Sequence, residues 1–416
     1  MDRLILKIEH FIYRRLIADK KYQRSVSAPI IRIGIISIAL GIVVMLVAVA
    51  TTIGMQKKIK DKVTGFNGAI QLSSMENVSA LNATIPMVYS DTLKDIIESN
   101  PEVSHVQVFA NRSGIIRTQT DFEGVVLKGV GATYNWHFFD DYLTAGSLPV
   151  LGDEVSNDVL LSQTIADRLK LNVGDDIRVW FMREGINKPP WVRKLTIKGL
   201  FSTGFPEFDN NFAIGDIRHL QKLNKWQPDQ VGGIEVFVKD FDQINEVKMA
   251  LYKKSPMGIN TQSVFDEFPN IFDWIALFDS NVLIIIVIMV LIAGFNMISV
   301  IMVLILEQTP TIGILKAMGA TNQQIRNIFL YQATYLVFKG LIWGNVIGLG
   351  FLLLQYFFKI IKLNPETYHV SSVPVYLNPL YIIVLNLGVV GLIYLILLLP
   401  SYYINKIAPV KAIKFE

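Results

Sequence analysis

The residue types that carry catalysis or bind metals are widely scattered in this chain. The sequence contains no cysteine, and its five histidines fall in separate regions, so neither a disulfide nor a metal site is predicted. It also contains no G-x-x-x-x-G-K-[S/T], H-E-x-x-H or G-x-S-x-G motif, the spacings that hold a nucleotide, a catalytic zinc ion or a serine nucleophile. The chain is therefore predicted not to be an enzyme, to hold no cofactor, and to take its energy from another subunit.

Residues 306–329, LEQTPTIGILKAMGATNQQIRNIF, have the pattern of a binding element rather than a catalytic one. Thr309 is predicted to cap a helix that has Pro310 at its first position. Gly319 is predicted to end that helix in a left-handed turn. A Thr-x-x-Gln capping box at Thr321 then predicts a second helix. The segment between two apolar runs is thus predicted to be two short, capped helices.

The first of these helices has an apolar face formed by Ile312, Leu315 and Met318. Such a face has two interpretations, a helix lying on the membrane surface or a coupling helix that fits a groove on a cytoplasmic ATPase. Because the chain has no energy source of its own, the second interpretation is favoured. The residues predicted to contact the ATPase are Pro310, Ile312, Gly313, Leu315, Lys316, Met318 and Gly319.

The composition indicates that the segment 306–329 belongs to a membrane protein. Of the 416 residues, 51% are hydrophobic and 18% are charged, whereas average soluble domains have about 25% charged residues. Four apolar runs reach the length of about 20 residues that crosses a hydrocarbon core of ~30 Å. The net charge of +4 is too small to indicate a nucleic-acid binder. The predicted fold class is an α-helical membrane protein, with four transmembrane helices and a large α+β periplasmic domain between spans 1 and 2.

The excess of Lys and Arg before the first run predicts that both ends lie in the cytoplasm. The expected regions are a cytoplasmic amphipathic helix at 1–28, transmembrane helix 1 at 29–55, the periplasmic α+β domain with its stalks at 56–278, transmembrane helix 2 at 279–306, the coupling-helix region at 307–328, transmembrane helix 3 at 329–358, a short periplasmic loop at 359–378, transmembrane helix 4 at 379–404 and a cytoplasmic tail at 405–416. The first helix is expected to continue outward as a stalk.

The long polar region between the first two runs alternates between helix and strand patterns. Ser90 is predicted to cap a helix, and a strand is predicted to follow it. DIRVWF and KLTIKGLF are predicted to pair as strands, joined by a loop at 182–193 that is too long and too rich in proline for a tight turn. Its apolar tip, stiffened by two prolines, contains Met182, Pro189, Pro190 and Trp191, and Arg183 lies beside the tip. The tip is predicted to bind a partner, with packing of Trp191 onto its own domain as the alternative.

The predicted spans carry small and polar residues that indicate helix packing. Gly340, Gly344 and Gly348 share one face of the third span, and small residues at this spacing let two membrane helices approach closely. Asn296 and Asn386 are predicted to form interhelical hydrogen bonds.

The sequence around the loop resembles the FtsX-like permeases of ABC transporters. FNMISVIMVLILEQTPTIGILKAMGATNQQIRNIFLYQ is similar to their second-span and coupling-helix signature, and PSYYINKIAPVKAIKFE to their closing segment. Within this superfamily, which includes the related MacB-type permeases, the resemblance is greatest to the lipoprotein-releasing (LolC/LolE-type) permeases. DVLLSQTIADRLKLNVGDDIRV resembles the outer domain of these proteins.

The resemblance implies a multi-pass subunit of a bacterial inner membrane. It would pair with a second permease subunit, identical or related, and with a separate LolD-like P-loop ATPase that binds ATP and Mg. Its lipoprotein substrates would pass from the membrane lipids to a LolA-like periplasmic chaperone, gripped by the loop at 182–192. The residues of span 1 that could line the lipoprotein cavity, or simply face lipid, are Ile38, Ile42, Met45, Val49 and Ile53.

Two residues depart from the family pattern. Thr311 stands where many relatives have an acidic residue, and Lys339 where they usually have an apolar one. The Lys339 side chain is predicted to extend to the cytoplasmic headgroups, with a buried functional charge as the alternative.

Two other functions are open. The first is an export permease of the macrolide- or peptide-efflux type, and the second is an FtsX-like signalling subunit that controls cell-wall hydrolases. The outer domain of such signalling subunits is usually much smaller.

Overall fold

The structure is a computed structural model that describes residues 27–77, 81–183 and 189–401 of the chain. These residues divide into two compact units. A helical unit contains residues 27–55, 275–361 and 373–401, and an α+β unit contains the described parts of 56–274 together with 362–372. The predicted helix at 1–28, except for its last two residues, and the predicted tail at 405–416 lie outside the described residues.

The helices and strands are numbered here in chain order. They are α1 (Ser27–Asn67), β1 (Ile70–Ser74), β2 (Met87–Val88), α2 (Asp91–Glu98), β3 (Val103–Arg117), β4 (Phe122–Val130), α3 (His137–Asp140), β5 (Leu143–Gly146), β6 (Asp158–Ser162), α4 (Gln163–Leu169), β7 (Asp176–Phe181), β8 (Trp191–Phe201), α5 (Pro206–Asp209), β9 (Phe212–Asp216), α6 (Ile217–Asn224), β10 (Gln230–Val231), β11 (Gly233–Val238), α7 (Ile244–Lys254), β12 (Ile259–Ser263), α8 (Val264–Glu267), α9 (Pro269–Glu307), α10 (Thr309–Ala317), α11 (Asn322–Phe358), α12 (Pro365–Tyr368) and α13 (Pro379–Ser401).

In the described part of the chain, four helices are long and apolar enough to cross a membrane: α1, α9, α11 and α13. Each contributes fully buried side chains to one apolar core, for example Ile42, Met297, Ala333 and Ile393. α1 continues to Asn67, so the predicted stalk is a continuation of the first helix. The assignment of each region to membrane, periplasm or cytoplasm remains a prediction.

The glycine face of α11 packs directly against α1. A methyl group placed on Gly344 would lie 2.7 Å from Ile42 Cβ and 2.9 Å from the Ala39 carbonyl oxygen. A methyl group on Gly340 would lie 2.7 Å from Ile38 Cβ. Real side-chain carbons do not approach this closely, so only glycine permits this helix spacing. The predicted close approach at these glycines is confirmed.

Polar side chains link the spans at two points. Asn296 Nδ2 on α9 donates a hydrogen bond to Ser37 Oγ on α1 at 2.5 Å. Asn345 and Asn386 exchange side-chain hydrogen bonds of 2.7 and 3.0 Å between α11 and α13. The predicted interhelical hydrogen bonds of Asn296 and Asn386 are confirmed.

The α+β unit is built on a mixed sheet. Among the described residues, ten strands form this sheet, in the order β12-β1-β11-β3-β4-β9-β6-β8-β5, with β7 pairing with β3 and β8. The pairs β4/β9 and β6/β8 are parallel and the others antiparallel. Ile177 lies opposite Leu195 in the β7/β8 pair, so the predicted pairing of DIRVWF with KLTIKGLF is confirmed. Ser90 caps α2 as predicted, accepting a hydrogen bond from the Leu93 amide.

The end of α1 is anchored in an aromatic cluster of the α+β unit. The Phe66 ring is fully buried and stacks on Phe208 with centroids 4.0 Å apart. The rings of Phe139 and Phe212 meet Phe66 edge-on at 6.0 and 5.0 Å. Stacked and edge-to-face contacts favour one arrangement of the rings, so the helix end is held at a fixed position within this unit.

Candidate functional site

The loop between α9 and α11 forms one short helix, α10, and not two. Gln308 occupies the N-cap position without a side-chain cap, so the prediction that Thr309 caps the helix is wrong. The Thr309 hydroxyl instead donates to the Ile305 carbonyl one turn earlier at 3.0 Å, a bond typical of a residue within a helix. Gly319 has φ +95° and ends the segment as predicted. The predicted capping box between Thr321 and Gln324 is present, but the helix it starts is α11 itself.

Only part of the predicted contact face of α10 packs inside the helical unit. Ile312 is only 1% exposed and belongs to the apolar core, and Gly313 is also buried. The exposed side of the helix carries Pro310, Ile314 and Met318. Pro310 and Met318 were predicted to contact the ATPase, whereas Ile314 was not. Ile314 is 56% and Met318 78% exposed. Of the residues predicted to contact an ATPase, Ile312 is therefore occupied by its own chain, Leu315 and Lys316 are half-buried, and Pro310, Met318 and Gly319 are accessible.

The span 1 residues predicted to line a cavity are mostly used in helix packing. Ile38 and Ile42 lie against the glycines of α11, and Met45 is 1% exposed. For these three residues, the hypothesis of a cavity wall or a lipid-facing surface is wrong. Glycines on α11 create the space that their side chains fill.

Val49 and Ile53, the other two residues predicted to line a cavity, border a space within the helical unit. This space has a volume of about 10 Å³, enough for about one water molecule and far too little for an acyl chain. A cavity for acyl chains is therefore not formed at this position by one chain alone.

The loop between β7 and β8 carries an exposed apolar end. The Met182 side chain is 68% exposed, while its carbonyl accepts a hydrogen bond from Arg112 Nη2 at 3.3 Å. The Arg183 guanidinium lies 4.8 Å above the centre of the Trp191 ring, a cation–π contact. Trp191 is half-buried and lies opposite Phe181 at the start of β8. Pro189 is exposed and Pro190 half-buried; residues 184–188 lie outside the described part of the chain.

Two models of known protein families match this chain. The family model for the MacB-like periplasmic core domain matches residues 33–253, more than half of the chain. The model for the FtsX-like permease C-terminal region matches residues 283–409. The chain is an FtsX-like permease with a MacB-like periplasmic core domain. Members of this family are membrane subunits of ABC transporters.

Two similar curated proteins are named as transmembrane proteins of the lipoprotein-releasing system. The transmembrane protein LolC of Xylella fastidiosa strain Temecula1 is 21% identical over 397 residues, which cover 92% of this chain and 93% of LolC. LolE of Haemophilus influenzae is also 21% identical, over 94% of this chain and 96% of LolE. The solved periplasmic region of MacB from Actinobacillus actinomycetemcomitans aligns with a TM-score of 0.33 and 14% identity, over 49% of this chain and 92% of that one.

The periplasmic core domain of the permease contains a buried polar network that the motif search missed. Lys128 Nζ lies 2.6 Å from Glu235 Oε1, and Gln107 Nε2 donates to Glu235 Oε2 at 2.7 Å. Asn67 Nδ2, at the end of α1, donates to Glu267 Oε1 at 3.2 Å. The sequence signal was present: VVLKGV and GGIEVF are apolar strands that each contain one isolated charge.

The carboxyl group of Glu267 has an unusual proton affinity. Its pKa is raised from 4.5 to about 7, chiefly by burial and also by the nearby negative charge of Glu235, whereas Lys128 and the hydrogen bond from Asn67 lower it. Glu267 lies two residues before the start of α9, and Asn67 is the last residue of α1. The hydrogen bond between Asn67 and Glu267 therefore connects the point where the chain enters the domain to the point where it leaves the domain. Among the described residues, no group of three or more His, Asp or Glu side chains could hold a metal ion.

The Lys339 side chain follows the direction predicted for it. It is exposed, and its Nζ lies 4.6 Å from the centre of the Tyr335 ring, one turn toward the N-terminal end of α11. This end of α11 is the one joined to α10, which the predicted topology assigns to the cytoplasmic side. The position agrees with a cation extending toward headgroups and does not suggest a buried functional charge.

Proposed function

We propose that this permease is the membrane subunit of an ATP-driven ABC transporter that extracts lipoproteins from the bacterial inner membrane and hands them to a periplasmic chaperone. The end-to-end similarity to LolC and LolE carries the proposal, since both relatives are lipoprotein-releasing transmembrane proteins matched over at least 93% of their length. The test is depletion of the permease in its native host. We expect lipoproteins destined for the outer membrane to accumulate in the inner membrane.

The second candidate function is export by a MacB-like efflux permease. The match of the MacB-like periplasmic core domain to residues 33–253 favours it as the alternative. In the depletion experiment, normal lipoprotein localisation together with increased sensitivity to an exported compound would support efflux. Normal localisation with a defect in cell-wall hydrolysis would instead support the FtsX-like signalling role.

The proposed energy source is a separate P-loop ATPase, which would bind ATP and Mg. The exposed face of α10 supports this partnership, because Ile314 and Met318 present apolar surface that the rest of the helical unit leaves uncovered. Single exposed apolar residues are ordinary, but two on one face of a short helix match the helix-in-groove mode of binding. The proposed contact therefore keeps Met318, loses Ile312 and gains Ile314.

A charge substitution tests this contact. Ile314→Asp would bury a carboxylate in an apolar groove, at a cost of several kcal/mol, so we expect the ATPase to be lost on co-purification while the permease still inserts. The matched control is Phe122→Asp, which changes an apolar residue with 74% exposure in the other unit. Normal ATPase retention by Ile314→Asp would favour a membrane-surface helix.

The proposed lipoprotein path lies along α9. Ile284, Ile288 and Phe295 form an exposed apolar stripe with exposures of 55%, 46% and 68%. A second permease subunit, identical or related, would convert such a stripe into the wall of a cavity for acyl chains. A photo-crosslinking residue at Ile288 is expected to capture lipoprotein, and the same residue at Ile383, 55% exposed on α13, serves as the lipid-facing control. Equal capture at both positions would contradict the α9 path.

The proposed chaperone contact is the loop between β7 and β8. Exposed Met182 and the Arg183–Trp191 stack support it, because aromatic and arginine side chains are the usual anchors of protein interfaces. The adjoining Pro189 and Pro190 restrict the backbone, so less conformational entropy is lost on binding. This contact would make the permease the chaperone-gripping type of subunit.

A further inference from the structure

The segment between α11 and α13 closes on itself. We call residues 362–372 the strap. Lys362 and Ser372 form an antiparallel bridge at its base, and the Leu363 amide donates to the Ser371 carbonyl at 3.1 Å. Asn364 caps α12 inside the strap by accepting a hydrogen bond from the Glu366 amide at 3.0 Å. These local bonds make the strap a preformed loop that can dock or separate as one piece.

The strap contacts the rest of the α+β unit through His369. The His369 ring lies 4.8 Å from the Phe205 ring and 5.8 Å from the Trp274 ring, measured between centroids. Its carbonyl accepts a hydrogen bond from Lys62 Nζ at 2.9 Å. Lys62 lies on α1 and Trp274 near the start of α9, while Phe205 precedes α5. One residue of the strap thus contacts three separate elements, two of which are the helices that continue into the first two predicted spans.

Two buried polar atoms at this contact lack hydrogen bonds. His369 Nδ1 lies 3.5 Å from Glu207 Oε2, and neither buried atom has a hydrogen-bond partner among the described residues. Buried polar groups left without a hydrogen bond oppose the docked state. The Lys62 side chain is also buried, at 3% exposure. The aromatic contacts therefore favour docking, whereas the polar atoms without hydrogen bonds oppose it.

The charges around His369 come from two sides. Lys62 on α1 disfavours its protonation, and Glu207 on α5 favours it, with Asp209 on the same short helix interacting with Lys62. Burial is the largest influence and lowers the pKa of His369 below the ordinary 6.5. Docking therefore favours the neutral ring, and acidification through the ordinary pKa favours separation.

We propose that the strap is a releasable latch: docked, it fastens the loop between α11 and α13 to the ends of α1 and α9, and it separates from them during the transport cycle. Release would let the connections to the first two spans move independently of the connections to the last two. The link to a transport cycle rests on the proposed function, whereas docking and release of the strap do not.

The first experiment measures release directly. Val370 is 3% exposed in the docked strap and Thr367 is exposed, and the chain has no native cysteine. Val370→Cys should react slowly with a soluble maleimide in the resting permease, and Thr367→Cys, the control, should react quickly. With the ATPase and ATP present, labelling at 370 should accelerate about tenfold, a shift of about 1.4 kcal/mol. Unchanged protection of 370 with ATP and in acid would overturn the latch.

An acid arm needs no ATPase, so it separates failure of the latch from failure of the proposed function. In the permease alone, labelling of Val370→Cys should be faster at about pH 5.5 than at about pH 7.5, on either side of the ordinary histidine pKa. Adding His369→Asn should remove this difference, because asparagine does not titrate and tolerates the left-handed backbone at this residue, φ 56°. A pH difference that persists in the His369→Asn background would contradict the role of His369.

A crosslink provides the second variant. A Cβ on Gly204 would lie 3.7 Å from Pro365 Cβ, within the range of disulfides. The oxidised Gly204→Cys/Pro365→Cys permease should lose ATP-driven turnover and regain it on reduction. Gly204→Cys alone is the control for strain, since Gly204 has φ +65°. Full turnover in the crosslinked permease would overturn the proposal.

Discussion

Lys128 and Glu235 form an ion pair inside the sheet, with 2.6 Å between Nζ and Oε1 and side chains that are 1% and 0% exposed. They lie on β4 and β11, the two neighbours of β3. Lys128 also donates to the Phe66 carbonyl at 2.5 Å, so the pair connects two strands to the end of α1. Removal of one partner from a buried pair of this kind is costly, because the charge that remains is buried and is not solvated by water.

The ion pair predicts a strongly non-additive mutant cycle. Glu235→Leu leaves Lys128 charged and buried, and should lower the free energy of unfolding by about 3–5 kcal/mol. Lys128→Met/Glu235→Leu should be less destabilised than either single variant, because both buried charges are removed together. Denaturation of the purified permease, followed by intrinsic fluorescence, measures these values. Additive losses in the double variant would show that the two charges do not stabilise each other.

Glu267 predicts a pH dependence of stability. Its pKa is about 7 in the folded domain against an ordinary 4.5, so the folded state holds a proton that the unfolded state releases. This contribution is fully present below pH 4.5, falls as the pH rises from 4.5 to about 7, and is absent above that. Glu267→Gln should flatten this part of the melting-temperature profile, and exposed Glu246→Gln serves as the matched control. An unchanged slope in Glu267→Gln would assign the pH dependence to another group.

The glycine face of α11 predicts a position-specific effect of one methyl group. Gly344→Ala would place Cβ 2.7 Å from Ile42 Cβ, and such overpacking costs about 1–3 kcal/mol. Gly350→Ala is the control, because no atom lies within 4 Å of its Cβ position. Thermal unfolding in detergent should show a lower melting temperature for the first variant only. Equal melting temperatures would mean that α1 and α11 can separate without cost.

The loop between β7 and β8 predicts a loss of chaperone binding without a loss of fold. Trp191→Ala removes the ring that Arg183 covers, and an interface anchor is worth about 2 kcal/mol or more. Pull-down of the periplasmic chaperone should weaken by about thirtyfold, the equivalent of that energy, while the melting temperature barely changes. A large drop in melting temperature with unchanged binding would show that Trp191 is structural.

The predicted topology can be tested in the same cysteine-free background. Asp153→Cys, in the α+β unit, should react with an impermeant thiol reagent in cells whose outer membrane is permeabilised. Ala317→Cys, exposed on α10, should react only after the inner membrane is opened. Reaction of both residues before that step would contradict the assignment of the two regions to opposite sides of the membrane.

Apart from the Thr309 cap, features that depend on neighbouring residues were predictable from the sequence. The capping box at Thr321, the Ser90 cap and the left-handed Gly319 each need only a few adjacent residues. The β7/β8 hairpin also follows from local alternation. The glycine face of α11 was correctly interpreted because only close helix approach requires three small residues on one face.

Features that depend on distant residues were not predictable in the same way. The periodicity of α10 identifies an apolar face, but it cannot tell whether Ile312 meets a partner or its own chain. Ile38 and Ile42 have the spacing of a cavity wall, yet glycines about 300 positions later in the sequence determine that they pack instead. The Lys128–Glu235 pair joins two apolar strands, and no local pattern matches one isolated charge with another.

The position of β1 in the sheet affects how the domain folds while the chain is being synthesised. β1 is the first strand of the sheet to be made, yet it lies between β11 and β12, the last two. Ile70 pairs with Val236 on one side and with Ser263 on the other. Both edges of β1 therefore stay open until nearly the whole domain has been translated, and unpaired strand edges are prone to aggregation. A ribosome stalled before residue 230 would expose an unpaired β1, so we expect this domain to need protection by a chaperone during export.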